Sequence, residues 1–175
     1  MHSYDSTAEI YDARYGEEQE AKYKAALENM KLAGTVLDVG CGTGLFFKYV
    51  VDEAESAVGI DSSGKLLLQA QKHARGWRNV HLVQADADHL PFKEDLFNVV
   101  FAFTVLQNMP KPVETLRAIH RVAKPDAQVV VTGLKKVFSL DSFRELIEKA
   151  GLSTVSVRND ESLKCYVAFS LKSST

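Results

Sequence analysis

The sequence predicts an α/β fold: a three-layer sandwich around a mostly parallel sheet of about seven strands, the last antiparallel. Three observations carry that expectation. Apolar runs alternate with amphipathic segments from Thr35 to Ala150, the βαβ pattern of a parallel sheet covered by helices. The first apolar run, Thr35–Val39, is continuous, as a strand buried on both faces should be, and it opens directly into a glycine-rich turn. Two apolar runs near the end have no helical segment between them, which predicts an antiparallel pair.

The elements follow in order. The chain of 175 residues suits a single domain, 1–175, with an N-terminal helical cap over 1–34 and a sheet core over 35–175. The cap reads as two helices, 5–14 and 18–32, the second with Ala21, Ala25, Leu27 and Met30 inward and its end before Gly34. Leu45–Val51 begins the next helix and Ala57–Ile60 is the second strand. Ser63–Arg75 is a helix with Leu66, Leu67, Ala70 and Ala74 on its inner stripe. Val80–Val83 and Phe97–Phe103 are the third and fourth strands. Pro112–Val122 is a helix with Val113, Leu116 and Ile119 on one face; Pro125 forces a break before the fifth strand, Gln128–Thr132. Leu140–Ala150 is a helix stopped at Gly151, and strands near Ser153–Arg158 and Lys164–Leu171 close the chain.

Composition narrows the function classes. A net charge of −2 and a pI of about 6.2 give no global basic field, so there is no strong nucleic-acid signal. Cys41 and Cys165 are too few and too far apart for a disulfide framework or a metal cage, and no metal site is expected. No apolar run approaches the ~20 residues that span a bilayer. The opening residues lack a basic or apolar signal region, so the cytoplasm is the expected location and no membrane partner is expected.

The chemistry concentrates after the first three strands. Asp38-Val39-Gly40-Cys41-Gly42-Thr43-Gly44 lies where a doubly wound sheet binds ligands, and glycines let a ligand lie against backbone without meeting a Cβ. The competing reading is a turn that serves packing alone. A dinucleotide fingerprint needs its third glycine at Leu45, and Asp38 repels a pyrophosphate while suiting a ligand with an ammonium and a sulfonium. Asp61 follows the second strand, where an acid accepts from both ribose hydroxyls. Asp86 follows the third, where a carboxylate can accept from an adenine amino group.

These pieces, with Leu90-Pro91-Phe92, Phe97–Met109 and Val122–Thr132, resemble the class I S-adenosylmethionine-dependent methyltransferases. More narrowly, the chain is similar to the small type 11 and ubiquinone/menaquinone-biosynthesis enzymes, which have a Rossmann-like fold. The resemblance implies S-adenosyl-L-methionine as cofactor and S-adenosyl-L-homocysteine as product. It also implies roles. Gly40, Cys41, Gly42 and Gly44 would lie against the amino-acid portion and ribose, with Asp38 ordering the loop or meeting the ammonium through water. Asp61 would hold the ribose; Ile60, Ser62 and Ala87 would flank the adenine beside Asp86. The backbone at Ala102–Phe103 would accept from the ammonium. Tyr11 resembles the N-terminal segment that folds over the cofactor, or it docks the helix onto the core.

The catalytic residue is not legible. Aligning a nucleophile behind an activated methyl needs no dedicated base unless the acceptor is a phenol, carbon acid or alcohol. His89 reads as an exposed loop residue and His120 as part of a solvated helix face, whereas Gln107 and Asn108 should face the substrate mouth. Ala102-Phe103-Thr104-Val105 lacks the Asn/Asp-Pro-Pro-aromatic sequence that resembling enzymes use on amide or base amino groups. The short connection Gly133–Ser139 leaves no room for a lid, which predicts a large acceptor or a partner chain that completes the pocket. Lys135 and Lys136 at that rim would suit an anionic partner or are simply solvated. Three readings stand: an active methyltransferase, a cofactor-binding but inactive subunit that activates a partner, and a nicotinamide oxidoreductase.

Overall fold

The computed structural model describes the backbone of residues 3–174 and the side chains of residues 14–174. Four helices and seven strands follow the expected alternation among the described residues. The helices are α1 (Ser3–Leu27), α2 (Gly64–His73), α3 (Pro112–Val122) and α4 (Leu140–Lys149). The strands are β1 (Thr35–Val39), β2 (Ser56–Asp61), β3 (Val80–Gln84), β4 (Phe97–Ala102), β5 (Ala123–Leu134), β6 (Leu152–Arg158) and β7 (Cys165–Lys172). They form one sheet in the order β3-β2-β1-β4-β5-β7-β6. The first five run parallel; β7 is antiparallel to both β5 and β6.

The sheet separates two apolar cores because successive side chains of a strand point to opposite faces. In β4, Phe97, Val100 and Ala102 join Leu116, Ile119, Phe143 and Ile147 beneath α3 and α4. Val99 and Phe101 join Tyr23, Ala26, Phe46 and Phe47 on the α1 side. By the same alternation Val36 faces the α1 layer and Leu37 and Val39 the other. Asp38 therefore enters the α1 side as a carboxylate among aromatics.

The structure corrects six local expectations. The N-terminus is one helix through Gly16, since a single glycine costs about 1 kcal/mol in a helix interior without breaking it. That helix ends at Leu27 rather than at residue 32, and Asn29 just beyond it takes the left-handed conformation (φ 66°). Its buried stripe is Gln19, Lys22, Tyr23, Ala25 and Ala26, while Ala21 is exposed. The segment Leu45–Val51 makes only a 3₁₀ turn, Phe47–Tyr49, because Phe46, Phe47 and Val50 are all drawn into the core around it. Leu66 of α2 is exposed rather than inward. Pro125 does interrupt the chain, but as an outward kink within β5. Pairing with β4 jumps from Phe97↔Ala123 to Val99↔Gln128, and Asp126 has φ 62°.

Gly133 is a packing requirement at the end of β5. A Cβ there would lie 2.5 Å from the Phe143 ring. Gly133→Ala should therefore lower stability by about 1–3 kcal/mol, read from urea unfolding. An unchanged midpoint would show that the Phe143 ring can yield.

Candidate functional site

The glycine turn is fastened to β2 twice. Cys41 N–H donates to the Ile60 carbonyl at 2.8 Å, which carries contact with β2 two residues beyond the end of β1. Gly42 N–H then donates to Asp61 Oδ2 at 2.9 Å. The other Asp61 oxygen accepts from Ser63 N–H at 2.9 Å, at the entry to α2. One carboxylate thus sets the glycine turn against the start of a helix. Each of its oxygens keeps a further acceptor position.

Gly42 marks the open side of the turn. Its φ is +54° and a Cβ there would meet nothing within 4 Å, whereas one at Gly40 would lie 2.6 Å from Val105. Gly42 thus faces free space, and the glycines on either side of it serve packing. His73 of α2 approaches the Thr43 carbonyl at 2.7 Å and closes the far side.

Above the turn lies α1. Tyr15, Gln19 and Tyr23 face Asp38, Gly40–Thr43 and Phe103 across a cavity of about 120 Å³. Tyr23 is held in an aromatic cluster, 5.0 Å from Phe46 and 4.9 Å edge-on to Phe103. Burial and the neighbouring Asp38 push its phenol far up. Burial foremost, and Asp61 second, raise the Asp38 carboxyl well above the usual carboxylate range. Burial likewise pushes the Cys41 thiol up, with Asp38 and Asp61 adding to it, so Cys41 is a neutral wall rather than a nucleophile.

The remaining expected residues lie along the same carboxyl edge of the sheet. Ile60 is buried, Ser62 and Asp86 are exposed, and Ala87 is buried. Asp86 Oδ1 accepts from Asp88 N–H at 3.0 Å, shaping the turn after β3. Asp88 in turn accepts from the Thr115 hydroxyl, tying that turn to α3. Asn108 is exposed and donates to the Thr104 carbonyl at 3.0 Å, while Gln107 Oε1 is buried without a partner among the described residues. His89 is a surface group, and His120 packs beside Gly151, so neither lines the cavity. The Tyr11 side chain lies outside the described residues, as does that of Tyr4.

A polar knot beside the site was invisible in the sequence. Lys22 Nζ and Gln19 Nε2 donate to Thr104 Oγ1 at 3.1 and 3.3 Å, and Thr104 N–H donates to Thr132 Oγ1 at 2.9 Å. Lys22 and Gln19 are buried, and Thr104 has φ 59°, uncommon for a β-branched residue. Such a conformation costs of order 1–3 kcal/mol and persists where its surroundings hold it. Only buried polar residues that break the apolar stripe of α1 signal this knot, and a stripe search discards them.

Comparison with known proteins places these features. Residues 37–131 match the family described as a methyltransferase domain. The demethylmenaquinone methyltransferase of Staphylococcus saprophyticus is 31% identical over 105 residues, covering 58% of this chain and 45% of that protein. The chain thus spans about half the length of the curated relatives it matches. A SAM dependent methyltransferase from Aquifex aeolicus shares the fold (TM-score 0.76, 20% identity, 85% of this chain and 88% of that one). So does a Haloferax volcanii complex of the Trm112 methyltransferase activator and a putative methyltransferase (TM-score 0.81, 19% identity, 95% and 97% coverage).

The raised Asp38 carboxyl has a consequence for stability. The folded protein keeps this proton at pH values where the unfolded chain, near pH 4, has already lost it. Stability should therefore fall as pH rises above about 4, until the native carboxyl ionises. In Asp38→Asn this slope should be absent, so the variant gains on the wild type between pH 5 and 8 in urea unfolding (roughly the window above the free value). Parallel pH profiles would mean that Asp38 is already ionised in the free protein.

Proposed function

Because the chain belongs to the methyltransferase-domain family, we propose that it transfers the methyl group of S-adenosylmethionine to an acceptor, at the carboxyl edge of β1, β2 and β4. The observation that carries this reading is a buried carboxylate, Asp38, facing a cavity walled by a glycine turn with an open Gly42. These residues fit the cofactor. The cavity between α1 and the turn has the size of its amino-acid portion rather than of the whole molecule, and Asp61 ends β2 and Asp86 follows β3 at the same edge of the sheet.

When bound, S-adenosylmethionine supplies a methyl already activated as a sulfonium. The chain's task is then binding, alignment and exclusion of water. Asp38 supplies the counter-charge for a cationic ligand, losing its proton as the ligand arrives. Asp61 keeps its two backbone bonds and offers its free acceptor positions to the ribose hydroxyls. Asp86, Ile60, Ser62 and Ala87 frame the adenine, and Gly40 and Cys41 follow the amino-acid chain, with the Phe103 backbone opposite. Gly44 supports the turn from beneath. Gln107 and Asn108 line the acceptor's approach.

In this reading residues 1–34 act as a cap over the sheet core. The acceptor side stays open: only residues 135–139 connect β5 to α4. A large acceptor, or a second chain that completes the pocket, suits such a mouth. The Haloferax complex of an activator with a putative methyltransferase supports a partner of this kind. Among the described residues no helix is long and apolar enough to cross a membrane, consistent with action in the cytoplasm.

S-adenosylhomocysteine should raise the thermal midpoint of the protein, by about 2.7 kcal/mol of stabilisation at a hundred-fold excess over Kd. Asp61→Ala should weaken binding at least ten-fold, because each charge-assisted hydrogen bond contributes about 1.5–3 kcal/mol. Gly42→Val should abolish binding while the domain stays folded. Protection by a nicotinamide cofactor instead would overturn the proposal. Labelled methyl transfer into fractionated small molecules, protein and RNA identifies the acceptor class; binding without any transfer would assign the chain to an activating subunit.

A further inference from the structure

The two ends of the sheet are built differently. At one end, β6 carries a register shift between Thr154 and Ser156, a bulge of the kind that keeps an edge strand from pairing further. At the other end, β3 pairs with β2 in unbroken register over Val80–Gln84. Ala57 N–H donates to the Asn79 carbonyl and Ala85 N–H to the Asp61 carbonyl. Odd-numbered residues of β3 therefore turn their backbone toward β2. Val80, Leu82 and Gln84 turn theirs outward, where no further strand follows.

Beside this edge, α2 and β3 form an open groove of about 930 Å³, lined by Leu67, Leu68, Lys72, Arg75, Leu82 and Gln84 among others. Leu68 is 63% exposed, so the floor is apolar as well as unpaired. Its charge has one sign. From Ser62 through Ala85 the chain has no Asp or Glu but has Lys65, Lys72, Arg75 and Arg78. This stretch thus carries four of the 21 Lys and Arg residues and none of the 23 Asp and Glu, a local basic run in a protein of net charge −2.

We propose that the β3 edge is a docking surface for another polypeptide, which adds an extended acidic segment to the sheet as an eighth strand. Outward N–H and C=O groups supply strand pairing, Leu67 and Leu68 receive alternate apolar side chains, and Lys72 and Arg75 meet carboxylates. A second copy of this chain is a poor occupant, because a two-fold contact would place the same basic groove against itself. Nucleic acid would use the charge but leave the leucines and the unpaired backbone unmatched. The surface is separate from the glycine turn and does not depend on methyl transfer.

Hydrogen exchange on the full chain tests this with a synthetic peptide of alternating Glu and Val as the probe. In the free protein the amides of Val80, Leu82 and Gln84 should exchange fast and those of His81 and Val83 slowly. The peptide should slow the first three, and the double variant Lys72→Glu, Arg75→Glu should weaken its binding ten-fold or more. A peptide of the same sequence N-methylated at alternate residues keeps the charge but cannot pair, and should not protect. The proposal is overturned if neither peptide protects these amides, if both bind equally, or if an RNA oligonucleotide protects the groove in their place. Concentration-dependent dimers that protect the same amides would also overturn it.

Discussion

A parallel sheet ends in a problem of geometry: at its carboxyl edge the backbone leaves the ladder, and something must direct it. Here that task falls to the Asp61 carboxylate, which holds Gly42 N–H on one side and Ser63 N–H on the other. It thereby places the glycine turn, three positive φ values in five residues (Gly40, Gly42 and Gly44), against the entry to α2, and His73 adds a second tie to the same helix. The open face of Gly42 and the wall formed by Cys41 both follow from where this turn is held.

The second determinant is the burial of charge against the apolar pattern. Asp38 is placed on the α1 side by strand alternation alone, and α1 then covers it with Tyr23. Burying a carboxylate is costly, and the free protein meets that cost by holding the proton. Lys22 and Gln19 anchor the same helix through Thr104, so the polar contacts of α1 fall at the end of β4 and its apolar contacts on Phe46 and Phe103. The helix that closes the cavity is therefore attached to the strand that ends at it.

The proposed methyl transfer relies on alignment and so needs no dedicated catalytic base. Tyr23 and Cys41 are both held neutral by burial, and neither His89 nor His120 lines the cavity. In that proposal specificity falls to the open side, where only residues 135–139 connect β5 to α4.

The sequence by itself determined the layer order, the strand–helix alternation, the antiparallel end and the three acids that follow β1, β2 and β3. All of these are local: they rest on period, on glycine spacing and on which residue comes after an apolar run. What only the tertiary structure decided is how those acids are used. Asp61 anchors backbone and Asp86 shapes a turn, because each found N–H groups supplied by distant or folded-back segments. It also decided that Gly16 does not divide α1 and that Gln19 and Lys22 point inward, since a partner such as Thr104 lies more than eighty residues away. A period search cannot see such a partner; the hydrogen bond that justifies a buried polar residue exists only once the chain has folded.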